Sequence, residues 1–309
     1  MSRFAILCSG QGAQTPELFQ LFPFTKTGEA LRQRILGAKV LEPEVAGWLS
    51  RPETNPRAVY QNRFSQPLLC LYQAMIWEEL AALVPPPALI AGYSLGELSA
   101  YGCAGAIAPE DVVRLAAVRA RWMDAAGPAG ELIAVTGLPA AAAAKPEGAH
   151  LAIVIGDDHC VIGCLAGRAP SLAEELLAAG ARDAVLLAVT VASHTPILDA
   201  AVEPFRSALR NIPWHPPQTP VLAGVSAAKI LRREHMEQLL PEQIHRTIRW
   251  DLVQQRLQDS GCRVLLELGP GCQLARMAAA RGLEARGVTE FRSPQGIADW
   301  LQAAIARSE

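Results

Sequence analysis

The chain has 309 residues, 50% of them hydrophobic and 19% charged, with a formal net charge of -2. That length and apolar supply are enough for one large domain carrying an insert or for two smaller ones. The near-neutral balance excludes the strong basic excess of nucleic-acid and membrane-surface binders, so neither partner is expected. No apolar run approaches the roughly 18 residues of a membrane span. The 7 cysteines are an odd number, mostly within apolar runs; they read as free thiols in a reducing compartment. With no apolar leader-like region at the start, the expected location is the cytoplasm.

In chain order, Phe4–Ser9 reads as a buried strand, and residues 22–63 carry no clear pattern. Gln66–Leu83 reads as a helix opened by Pro67 and stopped by Pro85-Pro86-Pro87. Ala88–Gly92 is a second strand, Glu97–Gly105 a small-residue helix and Ala108–Ala126 a helix with Pro109 in its first turn. Next come a strand at Glu131–Gly137, a helix at Pro139–Lys145, strands at His150–Ile155 and His159–Leu165, a helix at Ser171–Ala179 and a strand at Ala184–Ala192. This β-α-β-β-α-β order is the ferredoxin-like pattern. Val264–Leu268 is a late strand before a helix from Gln273. The expected fold is therefore α/β: an α/β-hydrolase-like core with a parallel sheet, residues 1–126 and 196–309, interrupted by a small ferredoxin-like subdomain at 127–195.

Gly92-Tyr93-Ser94-Leu95-Gly96 matches G-x-S-x-G between a strand and a helix, the context of a nucleophile elbow. A tight turn there lifts a serine hydroxyl to the sheet edge and puts a helix N-terminus beside any oxyanion; the bland reading is a plain turn. A serine needs a base. Of the 6 histidines, His194 is the best placed, at a strand end just before Pro196, though a capping histidine would look the same. Between Ser94 and His194 the acids Asp157, Asp158 and Asp183 fall inside the insert, a poor place for a triad member, so the expectation is a Ser–His dyad with the imidazole oriented by a neutral oxygen.

At 100° per residue, Val112, Leu115, Ala116, Trp122 and Met123 form the apolar stripe of the Ala108–Ala126 helix. Arg119 falls in its middle, whereas Arg114 and Arg121 fall opposite. An inward guanidinium is costly without acceptors. It is either a fork for a substrate carboxylate or an internal ion pair or snorkelling side chain.

Together these residues resemble the malonyl-CoA:acyl-carrier-protein transacylase family. The likeness rests on Gly10-Gln11-Gly12-Ala13-Gln14, Gln66-Pro67, Gly92-Tyr93-Ser94-Leu95-Gly96-Glu97, Val118-Arg119-Ala120-Arg121, Ser193-His194 with Leu198, Gln243 before Arg249-Trp250, and Glu267-Leu268-Gly269-Pro270-Gly271. The resemblance implies Ser94 as acyl nucleophile and His194 as base. The backbone oxygen of Gln243 would orient His194, and the amides of Gln11 and Leu95 would form the oxyanion hole. Arg119 would bind the malonyl carboxylate, with Gln66 and Tyr93 also toward the substrate. It implies no cofactor: a coenzyme A thioester is the substrate, and an acyl carrier protein bearing a phosphopantetheine-type thiol is the acceptor in a ping-pong reaction. Tyr93 and Tyr101-Gly102-Cys103-Ala104-Gly105 look more like the transacylase (epsilon) subunit of malonate decarboxylase, whose other subunits would then be partners. Ile155-Gly156-Asp157-Asp158-His159 replaces the family's Asn-rich stretch along the acyl pocket. The alternatives are the transacylase of fatty-acid or polyketide synthesis and a serine esterase or thioesterase.

Other signals carry less. His159, Cys160 and Cys164 lack metal-site spacing, and Gly10-Gln11-Gly12 lacks the third glycine of a dinucleotide loop. Lys229, Arg232 and Arg233 form a solvated face or a contact for an acidic carrier.

Overall fold

The computed structural model describes residues 3–308. Its strands, in chain order, are β1 (Arg3–Cys8), β2 (Leu89–Gly92), β3 (Gly130–Thr136), β4 (His150–Gly156), β5 (His159–Leu165), β6 (Asp183–Leu186), β7 (Val221–Leu222), β8 (Lys229–Ile230), β9 (Ile248–Arg249), β10 (Cys262–Leu268) and β11 (Glu284–Gly287). They form two sheets. The larger runs β11-β10-β1-β2-β7-β8, parallel except for the β7–β8 pair. The smaller runs β6-β3-β5-β4-β9, antiparallel except where β9 lies parallel to β4. The architecture is the mixed α/β fold expected from the alternation of apolar runs and helical patterns.

The period of two along a strand explains how the large sheet is buried on both faces. On β1, Phe4, Ile6 and Cys8 enter one core, and Ala5 and Leu7 enter another on the opposite face. Ile90 of β2 joins the first core, with Leu89 and Ala91 in the second. The first core is closed by the long helices Asn62–Leu80 and Pro109–Ala125, the second by Trp250–Asp259 and Gln273–Ala279. The small sheet splits in the same manner. Ile133, Val135 and Ile162 pack under the helix Ala169–Ala178, and Leu132, Ile153 and Val161 join the second core of the large sheet.

The elements β3, Ala140–Ala143, β4, β5, Ala169–Ala178 and β6 occur in the expected β-α-β-β-α-β order. The sheet they build takes a further strand, β9, from far along the chain. Three expectations need correction. The strand expected at Ala184–Ala192 ends at Leu186. Leu187 still reaches Leu132, but the next contact joins Gly130 to Thr190, one residue out of register; an extra residue of this kind breaks a ladder as a bulge does. The helix expected to open at Pro67 begins at Asn62 and runs through the proline. Pro67 lies in its second turn, where only the bond to the Arg63 carbonyl is lost. The unpatterned stretch holds the helices Lys26–Gly37 and Pro43–Ser50. Among the described residues no helix is long and apolar enough to cross a membrane.

Candidate active site

The carboxyl ends of β1 and β2, adjacent in the sheet, deliver the loops Ser9-Gly10-Gln11 and Tyr93-Ser94 side by side, the usual ligand edge of a parallel sheet. Gln73 ties this edge together, donating from Nε2 to the Ser9 carbonyl at 2.8 Å and the Leu268 carbonyl at 3.1 Å. Ser94 has φ of 55°, the left-handed conformation that an elbow imposes on its nucleophile. Its flanking glycines are required by space. A Cβ on Gly92 would lie 2.0 Å from the Glu97 nitrogen, and one on Gly96 2.0 Å from the Cys8 carbonyl oxygen.

His194 also has a left-handed backbone, φ 66°, held by its N–H bond to the Ile244 carbonyl at 2.8 Å. Its Nε2 lies 2.8 Å from Ser94 Oγ, and its Nδ1 is hydrogen-bonded to the Gln243 carbonyl oxygen. A carbonyl only accepts, so Nδ1 carries the proton and Nε2 is the free base that faces the serine hydroxyl. Burial, reinforced by the nearby Arg119 cation and opposed by the bond to Gln243, pushes the imidazole down to about 3. At neutral pH it is an uncharged base.

Arg119 is 1% exposed, in the middle of the buried face of the helix Pro109–Ala125. Arg114 and Arg121 are exposed, as the periodicity requires. The guanidinium donates from Nη1 to Gln66 Oε1 at 2.9 Å and from Nη2 to Gln243 Oε1 at 3.3 Å. Among the described residues no carboxylate lies in ion-pair distance of it. Burial lowers Arg119 to about 10, which still leaves it charged at neutral pH. The alternatives of an internal ion pair and a snorkelling side chain are therefore both excluded. What remains is a buried cation, held by neutral amides, beside a serine–histidine pair.

Gln66 is fully buried and holds Arg119, with its own nitrogen 3.6 Å from Met123 Sδ. Gln11 donates from Nε2 to Asn62 Oδ1 at 2.9 Å and Ser65 Oγ at 2.5 Å, which fixes its loop next to Ser94. Leu95 is the N-cap of the helix Gly96–Cys103, directly after Ser94; the next three amides donate to the Tyr93, Ser94 and Leu95 carbonyls. Tyr93 stands apart: its ring packs edge-to-face on Trp250 at 5.2 Å, in the second core, whereas Arg119 lies over the first. Two residues went unassigned in the sequence. Asn62, bonded to Gln11 and through Nδ2 to Asp124 at 2.7 Å, gave no local signal. Glu97 did: it is an acid in an otherwise small and apolar first turn of the helix Gly96–Cys103, three residues after Ser94.

A cleft of about 630 Å³ opens beside the imidazole, lined by His150, Leu151, His194, His245, Arg246 and Arg249. A second pocket of about 470 Å³, with Cys70, Trp77, Ser99 and Cys103 in its wall, is lined by neither Ser94 nor Arg119. Among the described residues no group of three His, Cys, Asp or Glu side chains could hold a metal ion.

The family model described as "Acyl transferase domain" matches residues 25–294. The chain belongs to that family. This acyltransferase is 28% identical, over 289 residues, to the malonyl CoA-acyl carrier protein transacylase of Escherichia coli (strain K12), a match covering 88% of this chain and 90% of that protein. The solved malonyl-CoA:acyl carrier protein transacylase of Xanthomonas oryzae superposes with a TM-score of 0.85 at 28% identity, covering 98% of the acyltransferase and 99% of that chain. A malonyl-transacylase solved in complex with its type II polyketide-synthase acyl-carrier protein superposes at 0.82 and 25% identity, covering 99% of each chain.

Proposed function

We propose that the acyltransferase moves a malonyl group from malonyl-CoA to the thiol of an acyl carrier protein. The observation that carries this reading is Arg119, a buried cation with neutral partners and N–H groups left over for a bidentate carboxylate. A neutral acyl group would leave that charge unanswered, which argues against a general esterase or thioesterase. The relatives named above carry the same activity in their names.

The steps follow from the geometry. His194 Nε2 takes the proton of Ser94 Oγ as the oxygen attacks the thioester carbonyl. Positive charge on the imidazole is steadied at Nδ1 by the Gln243 carbonyl. The amides of Gln11 and Leu95 receive the oxyanion. The tetrahedral intermediate collapses, the C–S bond breaks, and the proton on Nε2 passes to the coenzyme A thiolate. The carrier's phosphopantetheine thiol then gives its proton to Nε2, attacks the malonyl-Ser94 ester and restores the serine. A thiolate leaves readily, so a dyad without a carboxylate suffices. The cleft beside His194, with the exposed Arg246 on its wall, suits the phosphate-bearing arm of either thiol substrate.

The malonyl-CoA:carrier transacylase of fatty-acid or polyketide synthesis is the reading nearest the relatives. Charging the carrier of malonate decarboxylase, within an assembly of its subunits, is the second reading; Tyr93 beside the nucleophile and the Tyr101–Gly105 segment favour it. One experiment addresses both. The protein is incubated with malonyl-CoA, Ser94 is examined by intact and peptide mass for a malonyl adduct, and carrier proteins of the three kinds are then offered. Absence of the adduct would refute malonyl transfer, and the carrier that empties the enzyme fastest names the pathway.

A further inference from the structure

Glu97 lies in the first turn of the helix Gly96–Cys103, three residues after Ser94, and is 1% exposed. Its Oε2 accepts from the Gly224 N–H at 2.9 Å and from Gln243 Nε2 at 3.1 Å. Gln243, also 1% exposed, is the hub of the site. Its Nε2 donates to the Ser94 carbonyl at 3.1 Å, its Oε1 accepts from Arg119, and its main-chain oxygen accepts from His194. One residue therefore touches the nucleophile, the base and the cation, and Glu97 secures one of its two amide N–H groups.

We propose that Glu97 is a positioning residue: by anchoring the Gln243 amide nitrogen it keeps Gln243 Oε1 on Arg119 and the Gln243 carbonyl on His194, and so sets the preference for acyl groups that end in a carboxylate. The inference rests on malonyl transfer being the reaction. Without Glu97, a buried N–H of Gln243 has no acceptor, and an orphaned donor is a strong incentive for the side chain to rotate. Rotation takes Oε1 off Arg119 and unsettles the main chain at the point that holds the imidazole.

The protonation of Glu97 supports this role. Burial raises its carboxyl to about 8, against the Gly224 and Gln243 hydrogen bonds and the Arg119 charge, which pull it down. The groups facing it are Arg119 across Gln243, Tyr101 on its own helix and the Gly224 amide, with apolar Ile248 beside Gly224. At neutral pH Glu97 is an uncharged acid. It orients Gln243 without neutralising Arg119, whose charge stays available to the substrate. With Oε2 accepting both N–H bonds, the proton resides on Oε1, which has no hydrogen-bond partner among the described residues.

The test compares kcat/KM for malonyl-CoA and acetyl-CoA in wild type, Glu97→Gln and Glu97→Leu between pH 6 and 9, with melting curves to confirm folding. Glu97→Gln, which keeps a neutral acceptor, is expected to retain malonyl transfer within about threefold at pH 7, and Glu97→Leu to lose at least about tenfold in malonyl with a smaller loss in acetyl. Wild type is expected to lose its malonyl preference above about pH 8 as Glu97 ionises; Glu97→Gln should not, which keeps the test open if Glu97→Leu does not fold. An unchanged malonyl-to-acetyl ratio in Glu97→Leu, or equal losses in both variants, overturns the inference. A wild-type enzyme that takes no malonyl from malonyl-CoA instead removes the proposed function.

Discussion

Replacement of Arg119 by Met tests the acyl specificity most directly. Methionine fills the volume of the aliphatic stem but removes the charge and the donor fork. In the native site two glutamine oxygens take one bond each from the guanidinium, at 2.9 and 3.3 Å, and its remaining N–H groups are enough for a two-pronged carboxylate bond. Removing one partner of a buried, hydrogen-bonded charge pair costs about 2–5 kcal/mol. At about 1.36 kcal/mol per decade, malonyl-CoA kcat/KM should fall about 30- to 5,000-fold. Acetyl-CoA makes no such pair, and its rate should stay within about threefold of wild type. Arg119→Lys keeps the charge but not the fork and should fall between the two. Initial rates of thiol release with both thioesters measure this. Malonyl and acetyl rates falling in parallel would show that Arg119 merely supports the fold, and the argument from its missing counter-ion would be wrong.

Other expectations follow from the same geometry. Because His194 titrates near 3 rather than 6.5, single-turnover malonylation of Ser94 should be flat from about pH 5 to 7; an acid limb near 6.5 would contradict the neutral-base reading. The same displacement lowers stability in acid. The unfolded chain binds a proton below about 6.5 that native His194 refuses, so about 2 kcal/mol is lost between pH 7 and 5, seen as a smaller urea midpoint shift in His194→Gln. His194→Ala should slow acylation about 10²- to 10⁴-fold in the same single-turnover assay. Gly96→Ala, whose Cβ meets the Cys8 backbone at 2.0 Å, should cost at least about 3 kcal/mol or prevent folding. Gly47→Ala, inside the helix Pro43–Ser50 with nothing within 4 Å, should add about 0.5–1 kcal/mol in urea titration.

Local chemistry explains what the sequence reveals. The elbow is legible because its glycines are forced by backbone contacts, and Arg119 because a charge on an apolar stripe breaks helical periodicity. The parallel sheet is legible because strands buried on both faces read as short unbroken apolar runs. What stays hidden depends on contacts between distant segments. Tyr93 stands beside Ser94 in sequence, yet its ring goes to Trp250, a choice set by the packing of a late helix. The break in the ladder after Leu187 depends on a one-residue mismatch with β3 that no local pattern shows. The role of Glu97 depends on Gln243, 146 positions later in the chain.

The strand β9 has a mechanical consequence. Ser94 rides on the large sheet, at the end of β2. His194 arrives along the segment that leaves β6, and Gln243, its clamp, leads within a few residues into β9, which pairs with β4. The chain on either side of the imidazole is therefore tethered to the small sheet. Leu132, Ile153 and Val161 of the small sheet share a core with the large one, so the 2.8 Å gap between Oγ and Nε2 is set by the packing of two sheets rather than by either alone.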